Sequence, residues 1–390
     1  MNNKLIYVPI SEFGRIITGK TPKTNVFEFW NGDVPFITPT DIPSFDSKYL
    51  LTTERTISSF GEKSHKSILL PKNSLCVSCI ATIGKLCLTR VPSITNQQIN
   101  SIIINEKYNP NYLLFVFRYY LPYLQLIGGG TGSGTPIINK NKFSKLKYPV
   151  FDSLDIQKSI ATVLDNYEQM IENNSKRINI LEEMIETIYK EWFVRFRFYG
   201  STGNYSKGSL PSGWSETTLG KMANIFTGKS NAQDSVEEGE YPLFDRSSEI
   251  KRSNRYLYEC EAILVPGEGT TFYPKYYNGK FDLHQRCYCV NPKDAIYGKY
   301  IFEYLKLNRK YFLNVATGAT VPSLRYRNFD KMRIVVPSEE VMLRFNKIIN
   351  PIFDEINNLT NQNKLLAEQR DYLLPRLMSG KLSVEGKEIV

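Results

Sequence analysis

Three short patterns in this sequence carry residues suited to chemistry. Gly14-Arg15-Ile16-Ile17-Thr18-Gly19-Lys20-Thr21 satisfies the spacing of a phosphate-binding loop. Such a loop needs a helix opening at the Lys-Thr pair, so that its amides cradle phosphates. Here Pro22 follows at once, then Trp30-Asn31-Gly32-Asp33, and a second copy of the segment has Ala223 in place of Gly14. The context therefore argues against nucleotide binding at Lys20. Asn109-Pro110-Asn111-Tyr112 and Asn350-Pro351-Ile352-Phe353 resemble the Asn-Pro-Pro-Tyr/Phe loop with which amino-methyltransferases hold a flipped base. Both lack the second proline and no Gly-rich cofactor loop accompanies them, which argues against methyl transfer by this chain. Cys76-x-x-Cys79 with Cys87 and His65, and Cys287-x-Cys289 with His284, have zinc-like letters, but no second Cys-x-x-Cys completes a site and the cysteines sit in apolar, strand-like runs. With two histidines in the chain, imidazole-based catalysis has little material. We expect a non-catalytic chain without metal or cofactor of its own.

The residues are better suited to holding DNA. Glycine-rich loops at 128–134 and 317–318 can bring backbone amides to phosphates, and basic residues follow each. The phosphate-side candidates are Lys20, Lys85, Thr131, Ser133, Lys140 and Lys142 in the first half, joined by Lys145 and Lys147. In the second half they are Lys229, Thr317, Arg325 and Arg327, joined by Lys331 and Arg333. Candidates for reading base edges are Gln97 and Gln98 in one half and Gln285 and Arg286 in the other, with Arg246 and Arg255 in the divergent middle, and His284 is a further DNA-binding candidate.

Positioning these groups falls to an internal repeat. Ile17-Thr18-Gly19-Lys20 returns as Phe226-Thr227-Gly228-Lys229, an offset of 209. Thr95-Asn96-Gln97-Gln98-Ile99 aligns with Leu283-His284-Gln285-Arg286-Cys287, and Tyr112-Leu113-Leu114-Phe115 with Tyr300-Ile301-Phe302-Glu303, at an offset of 188. The first copy thus holds about 21 extra residues in its middle. Each copy ends in a long amphipathic helix. The first seam runs Ile160, Leu164, Tyr167, Ile171, Asn174, Ile178, Leu181, Ile185, Ile188 and Trp192. The second runs Ile349, Ile352, Ile356, Leu359, Asn363, Leu366, Arg370, Leu373 and Leu377. Alternating steps of 3 and 4 predict coiled-coil packing, with Asn174 and Asn363 as register-setting polar positions. A helix of about 38 residues is roughly 57 Å long.

The expectation is an α+β chain: two similar globular domains separated by two long antiparallel helices, a coiled-coil spacer with pseudo-two-fold symmetry. The divisions are a first globular domain at 1–150, a spacer helix at 151–196, a Gly/Ser-rich linker at 197–210, a second globular domain at 211–337, a second spacer helix at 338–380 and a tail at 381–390. Lys and Arg exceed Asp and Glu by 49 to 39, a net charge of +10 that favours a polyanionic partner. No apolar run is long enough for a signal peptide or membrane span, and six scattered cysteines in 390 residues do not make a disulfide framework. A cytoplasmic protein with no membrane partner is expected.

By these letters the chain resembles the specificity subunits of type I restriction-modification enzymes. The resemblance rests on Gly19-Lys20-Thr21-Pro22 with Trp30 to Thr38, and on Thr95-Asn96-Gln97. It rests further on Glu191-Trp192-Phe193-Val194-Arg195-Phe196, on Leu210-Pro211-Ser212-Gly213-Trp214, and on Leu373 to Leu382, all in order over nearly the whole chain. The first copy departs from it, with Tyr7-Val8-Pro9-Ile10 and no Leu-Pro-x-Gly-Trp opening. The resemblance implies two target recognition domains, each reading half of a bipartite double-stranded DNA sequence. It implies docking of two modification subunits that bind S-adenosylmethionine and methylate adenine, and it admits restriction subunits that use ATP and Mg2+. The competing expectation is a basic coiled-coil scaffold that binds RNA or protein without reading sequence.

Overall fold

In the computed structural model, residues 4–42, 48–50, 52–129, 135–198, 200, 201, 203, 205, 206, 208–318 and 320–384 are described. The chain divides into two compact units, Met1–Arg177 with Leu359–Val390 and Ile178–Asn358. The division falls inside both long helices, Leu154–Tyr189 and Glu339–Met378, so each unit takes in part of each helix beyond the globules at 1–150 and 211–337.

The first unit is built on strands β1 (Leu5–Pro9), β2 (Gly14–Thr18), β3 (Trp30–Ile37), β4 (Arg55–Ile57), β5 (Leu75–Ser78), β6 (Leu86–Leu88), β7 (Ile94–Thr95), β8 (Ile99–Ile104) and β9 (Lys147–Phe151). They form a four-stranded antiparallel sheet in the order β2-β8-β5-β6, a sheet β4-β3-β7 and a β1-β9 pair. The second unit has β10 (Ser215–Thr218), β11 (Ala223–Thr227), β12 (Tyr241–Phe244), β13 (Lys251–Ser253), β14 (Tyr258–Pro266), β15 (Lys275–Leu283), β16 (Cys287–Pro292) and β17 (Arg333–Val336). Here the order is β11-β16-β14-β15-β12-β13, with β10-β17 apart.

The two orders are the same arrangement, once cut. Residues 275–283 of β15 correspond at the offset of 188 to 87–95, which span β6 and β7. Pro92 lies in that span where β15 has Lys280. A proline has no N–H for the ladder, so the strand breaks there and one sheet becomes two. The register also places the 21 additional residues. The offset is 209 at Gly19 and Gly228, 207 at the Ile37–Thr95 and Phe244–Leu283 pairs, 196 at β4 and β13, and 188 at β5 and β14. The insertions therefore lie mainly in the segments flanking β4, one of which carries the short helix Ser59–Ser64.

Each copy carries a short helix at the aligned Tyr112 and Tyr300 segments, Pro110–Tyr119 and Gly298–Leu307. Asn109 accepts a hydrogen bond from the Tyr112 amide at 2.9 Å and Pro110 takes the first turn, so Asn109-Pro110 is a helix start. Asn350-Pro351 lies within the second long helix.

Within each unit the long helices run antiparallel. In the first, Asn174 Nδ2 donates to Gln362 Oε1 at 3.4 Å, Asn363 Nδ2 donates to Ser175 Oγ at 3.2 Å, and Arg370 stands 3.7 Å from Glu168. Numbers fall along one helix as they rise along the other. The Glu168 carboxylate, sunk in the packing, also pairs with Arg118 of the short helix, while Asp165 takes Lys48 at 2.9 Å and Asn111 at 2.6 Å. Burial raises the Glu168 carboxyl above its usual range although both arginines pull it down. Ile160, Ala161 and Leu164 of the first helix and Leu377 and Met378 of the second join the same core as Tyr112, Phe117 and Tyr148.

The second unit repeats the plan with aromatics. The first long helix ends in a π-type turn, Lys190–Val194, which delivers Phe193 to a hub. Its ring centroid lies 4.8 Å from Tyr300, 4.7 Å from Phe345 and 5.9 Å from Trp214. Trp214 in turn stacks on Phe198 at 5.3 Å. The letters Glu191 to Phe196 and Leu210 to Trp214 thus encode one packing site. No helix among the described residues is long and apolar enough to cross a membrane.

Two outcomes follow. Phe193→Ala empties the hub and lowers the stability of the second unit by about 3–5 kcal/mol, which urea unfolding followed by Trp214 fluorescence reads. Burial holds the Glu303 carboxyl up to about 7 against the pull of Lys306. Its folded value lies above its unfolded one, so its contribution is present at low pH and lost as pH rises from about 4.5 through 7. Stability of this unit therefore falls over that window by up to about 3 kcal/mol more in the native chain than in Glu303→Gln. Equal pH dependence in the two proteins contradicts this.

Candidate nucleic-acid interface

The repeated backbone frame is the most informative feature of the candidate surfaces. In the first unit Gly19 N–H donates to Ile99 O, Lys20 N–H to Thr95 O, Asn96 N–H to Ile37 O, Cys79 N–H to Gln98 O and Ile138 N–H to Cys79 O. In the second, Gly228 donates to Cys287 O, Lys229 to Leu283 O, His284 to Phe244 O, Gly267 to Arg286 O and Leu324 to Gly267 O. These are the same five bonds, moved along the repeat. Gly19 presses on the carbonyls of Thr95 and Asn96, and Gly228 on that of Leu283, so closely that no Cβ fits at either. The Gly-Lys-Thr letters are a structural turn: Lys20-Thr21 open no helix, and the first helical turn afterwards is Phe27–Phe29.

On this frame the second unit gathers most of its candidates. Arg246 Nη1 donates to Glu268 Oε2 at 2.8 Å and Arg286 Nη1 pairs with Glu268 Oε1. Gln285 Nε2 donates to Asn231 Oδ1 at 2.6 Å. Arg255 Nη2 reaches Ser230 Oγ at 3.2 Å and Asp234 Oδ2 at 3.3 Å, with its Nε 3.7 Å from the buried Asp282. Lys229 is exposed beside them. His284 is buried, and its Nδ1 accepts from the Arg286 amide at 3.0 Å, which leaves any ring proton on Nε2. Burial first, and then Arg246, lowers its pKa below the ordinary histidine value. Burial opposes charge on Asp245 too, but bonds from Lys251 and Ser247 hold its carboxyl down to about 2. Thr317 pairs with Ser323 by two backbone bonds, and Ser323 bridges Glu268, so the Thr317 loop lies beside the arginine pair. Arg325 and Arg327 are exposed around the short helix Tyr326–Asp330 that follows.

The first unit sets different side chains on the frame. Gln97 is exposed and its Oε1 accepts from Thr21 Oγ1 at 2.6 Å, while Gln98 Oε1 accepts from Asn96 Nδ2 at 2.9 Å. Lys20 projects exposed from the turn. Lys85 is turned inward, its Nζ on the carbonyl of Pro39 at 2.8 Å, where it pins the segment after β3. Lys142 Nζ donates to Ile127 O at 2.8 Å, and Lys140 opens the short helix capped by Asn139. Thr131 and Ser133 lie outside the described residues.

The sequence did not single out the partners of these cations. Glu268, Asp234, Asp282, Ser230 and Asn231 orient Arg246, Arg286, Arg255 and Gln285. The only signal was the pair of glycines around Glu268, one of which, Gly267, is needed for close approach to the Arg286 carbonyl. The cysteines are packing residues: Cys76 faces Cys87 across β5 and β6, and both are fully buried. Among the described residues no group of three or more His, Cys, Asp or Glu side chains is arranged to hold a metal ion.

Comparison with known proteins agrees with the geometry. The model of the type I restriction modification DNA specificity domain matches residues 4–183 and 211–369. The type I restriction enzyme MjaIX specificity subunit of Methanocaldococcus jannaschii is 27% identical over 405 residues, covering 96% of this chain and 93% of that protein. The HindI specificity subunit of Haemophilus influenzae is 33% identical over 185 residues, 45% of this chain and 39% of its own. The crystal structure of the type I restriction-modification S subunit from M. genitalium superimposes with a TM-score of 0.62 at 15% identity over 96% of each chain, which shows a common fold. Two family-domain matches, on the two halves of one repeated frame, establish that this chain belongs to the type I restriction-modification specificity subunits.

Proposed function

We propose that this subunit recognises a bipartite sequence in double-stranded DNA, each unit reading one half-site, and that it docks two methyltransferase subunits. The observation that carries the reading is the frame itself. Five equivalent backbone bonds place Asn96-Gln97-Gln98 in one unit where His284-Gln285-Arg286 stand in the other. A conserved scaffold with exchanged polar side chains suits two readers of different short sequences. Glutamine favours adenine and arginine favours guanine in the major groove. Exposed Lys20, Lys140, Lys229, Arg325 and Arg327 supply phosphate contacts, which position the duplex without reading it.

On this reading the chain does no chemistry itself. S-adenosylmethionine belongs to the modification subunits, and ATP with Mg2+ to any restriction subunits that join. The long helices serve both units, since each contributes residues to both cores, and the gap between half-sites depends on their length.

Salt dependence tests direct DNA binding. If each unit neutralises about four phosphates, the affinity of the assembled complex for its duplex falls with a log–log slope of roughly −7 against salt concentration. Fluorescence anisotropy over a salt series measures it. A slope near zero contradicts direct binding, and equal affinity for all duplexes and for RNA contradicts sequence reading.

A further inference from the structure

Glu268 is held with unusual care for an exposed loop. Its neighbours tie it on both sides: Gly267 donates to Arg286 O at 2.7 Å and accepts from Leu324 N–H at 2.8 Å, and Gly269 donates to Pro322 O at 3.0 Å. The Glu268 side chain is only 13% exposed, whereas Arg246 and Arg286, which it joins, are 49% and 55% exposed. Ion pairs this open add little to the stability of a fold, too little for stability to explain the arrangement. What the carboxylate does is fix two flexible side chains in one place.

The equivalent position in the first unit sharpens the point. There Cys79 makes the bonds of Gly267, Ile80 bridges Ile137 as Glu268 bridges Ser323, and Gln98 stands in place of Arg286. At this position of the frame the first unit has Ile80 and Gln98 in place of the Glu268 and Arg286 of the second unit's arginine–carboxylate–arginine set.

We infer that Arg286 reads a guanine in the half-site of the second unit, with Glu268 and Arg246 as the positioning residues that hold its guanidinium toward the base. The assignment rests on the DNA-recognition reading above. Each arginine spends Nη1 on Glu268, and among the described residues the other guanidinium nitrogens make no hydrogen bond. The Nε and Nη2 edge matches guanine O6 and N7, two acceptors in one plane. A phosphate is the weaker partner, because the Glu268 carboxylate cancels one of the two positive charges and repels a phosphodiester, while the guanine edge is neutral. His284 accepts from the Arg286 amide through Nδ1, so its ring proton sits on Nε2 and the backbone beneath the reader is fixed.

The test uses the full-length chain co-purified with its modification subunits. Binding sequences are selected from a randomised duplex pool by the native chain, Arg286→Ala and Glu268→Gln, and native binding is then measured on selected duplexes carrying 7-deazaguanine at single positions. The expected result is that Arg286→Ala loses about tenfold to a hundredfold of discrimination at one G·C pair in one half-site and keeps the other half-site unchanged. Glu268→Gln relaxes the same position in part. The native chain weakens at that guanine when N7 is removed, and Arg286→Ala does not. The inference is overturned if Arg286→Ala weakens all duplexes equally, if the relaxed position is A·T, or if no single 7-deazaguanine matters to the native chain. That last measurement needs no variant to fold. Failure of the native chain to select any bipartite sequence is a different result, and it sinks the recognition reading itself.

Discussion

The largest core of each unit is not closed by its sheets alone, although smaller clusters such as Ile17, Ile37, Cys76 and Ile99, or Phe244, Leu264, Phe281 and Cys289, pack without the long helices. In each unit the apolar face of the sheets and short helices is completed by segments of both long helices. These are Ile160, Leu164, Leu377 and Met378 in one unit, and Ile185, Tyr189, Phe345, Ile349 and Phe353 in the other. Apolar burial at about 25 cal/mol per Å² is the main favourable contribution to folding, so both helices contribute strongly to the stability of each unit. That one constraint explains why a heptad-like seam is kept over the full length of helices with polar and even charged residues in it. The charges are tolerated because they are paired: Glu168 meets Arg118 and Arg370, which ties a short helix of the sheet domain to both long helices at one point. Removal of Glu168 takes the shared carboxylate from two largely buried arginines, a defect costlier than the pairs' own net contribution, whereas removal of either arginine leaves Glu168 with the other.

Upon this base the two units share a backbone and differ in side chains. The Gly-Lys turn, the strand running into β8 or β16, and the loop through Cys79 or Gly267 are fastened by the same bonds in each. Polar groups at the surface of the frame are oriented by neighbours: amides by Thr21, Asn96 and Asn231, guanidiniums by carboxylates. Ordering before a ligand arrives reduces the side-chain entropy lost on binding. A net charge of +10 remains for long-range attraction of a polyanion.

Much of this was legible in the letters, and the exceptions have physical causes. The helices could be read because their burial follows a strict spacing, and every position of both predicted seams is buried or half-buried. The repeat could be read where backbone geometry permits few residues, as at Gly19 and Gly228. What escaped was whatever depends on contacts distant in sequence. The split of one strand into β6 and β7 follows from Pro92, but only comparison with β15 reveals it. Lys85 looked like a surface cation and is instead anchored to Pro39, 46 positions away. Glu268 lies 22 residues from Arg246 and 18 from Arg286, and nothing local marks it as their partner. The zinc-like and phosphate-loop letters could be discounted from their context for the converse reason, since their spacing is local while the geometry each chemistry needs is not.

The claim that two similar units read two different sequences is tested most directly in the cell. The chain is co-expressed with its modification subunits, and methyladenine is mapped across the host genome by single-molecule sequencing, with and without this chain. The account predicts a single bipartite motif, with two different half-sites and a constant gap, present only when the chain is expressed. A stable complex that leaves no such motif, or methylation that follows charge or base composition without a bipartite pattern, would contradict it.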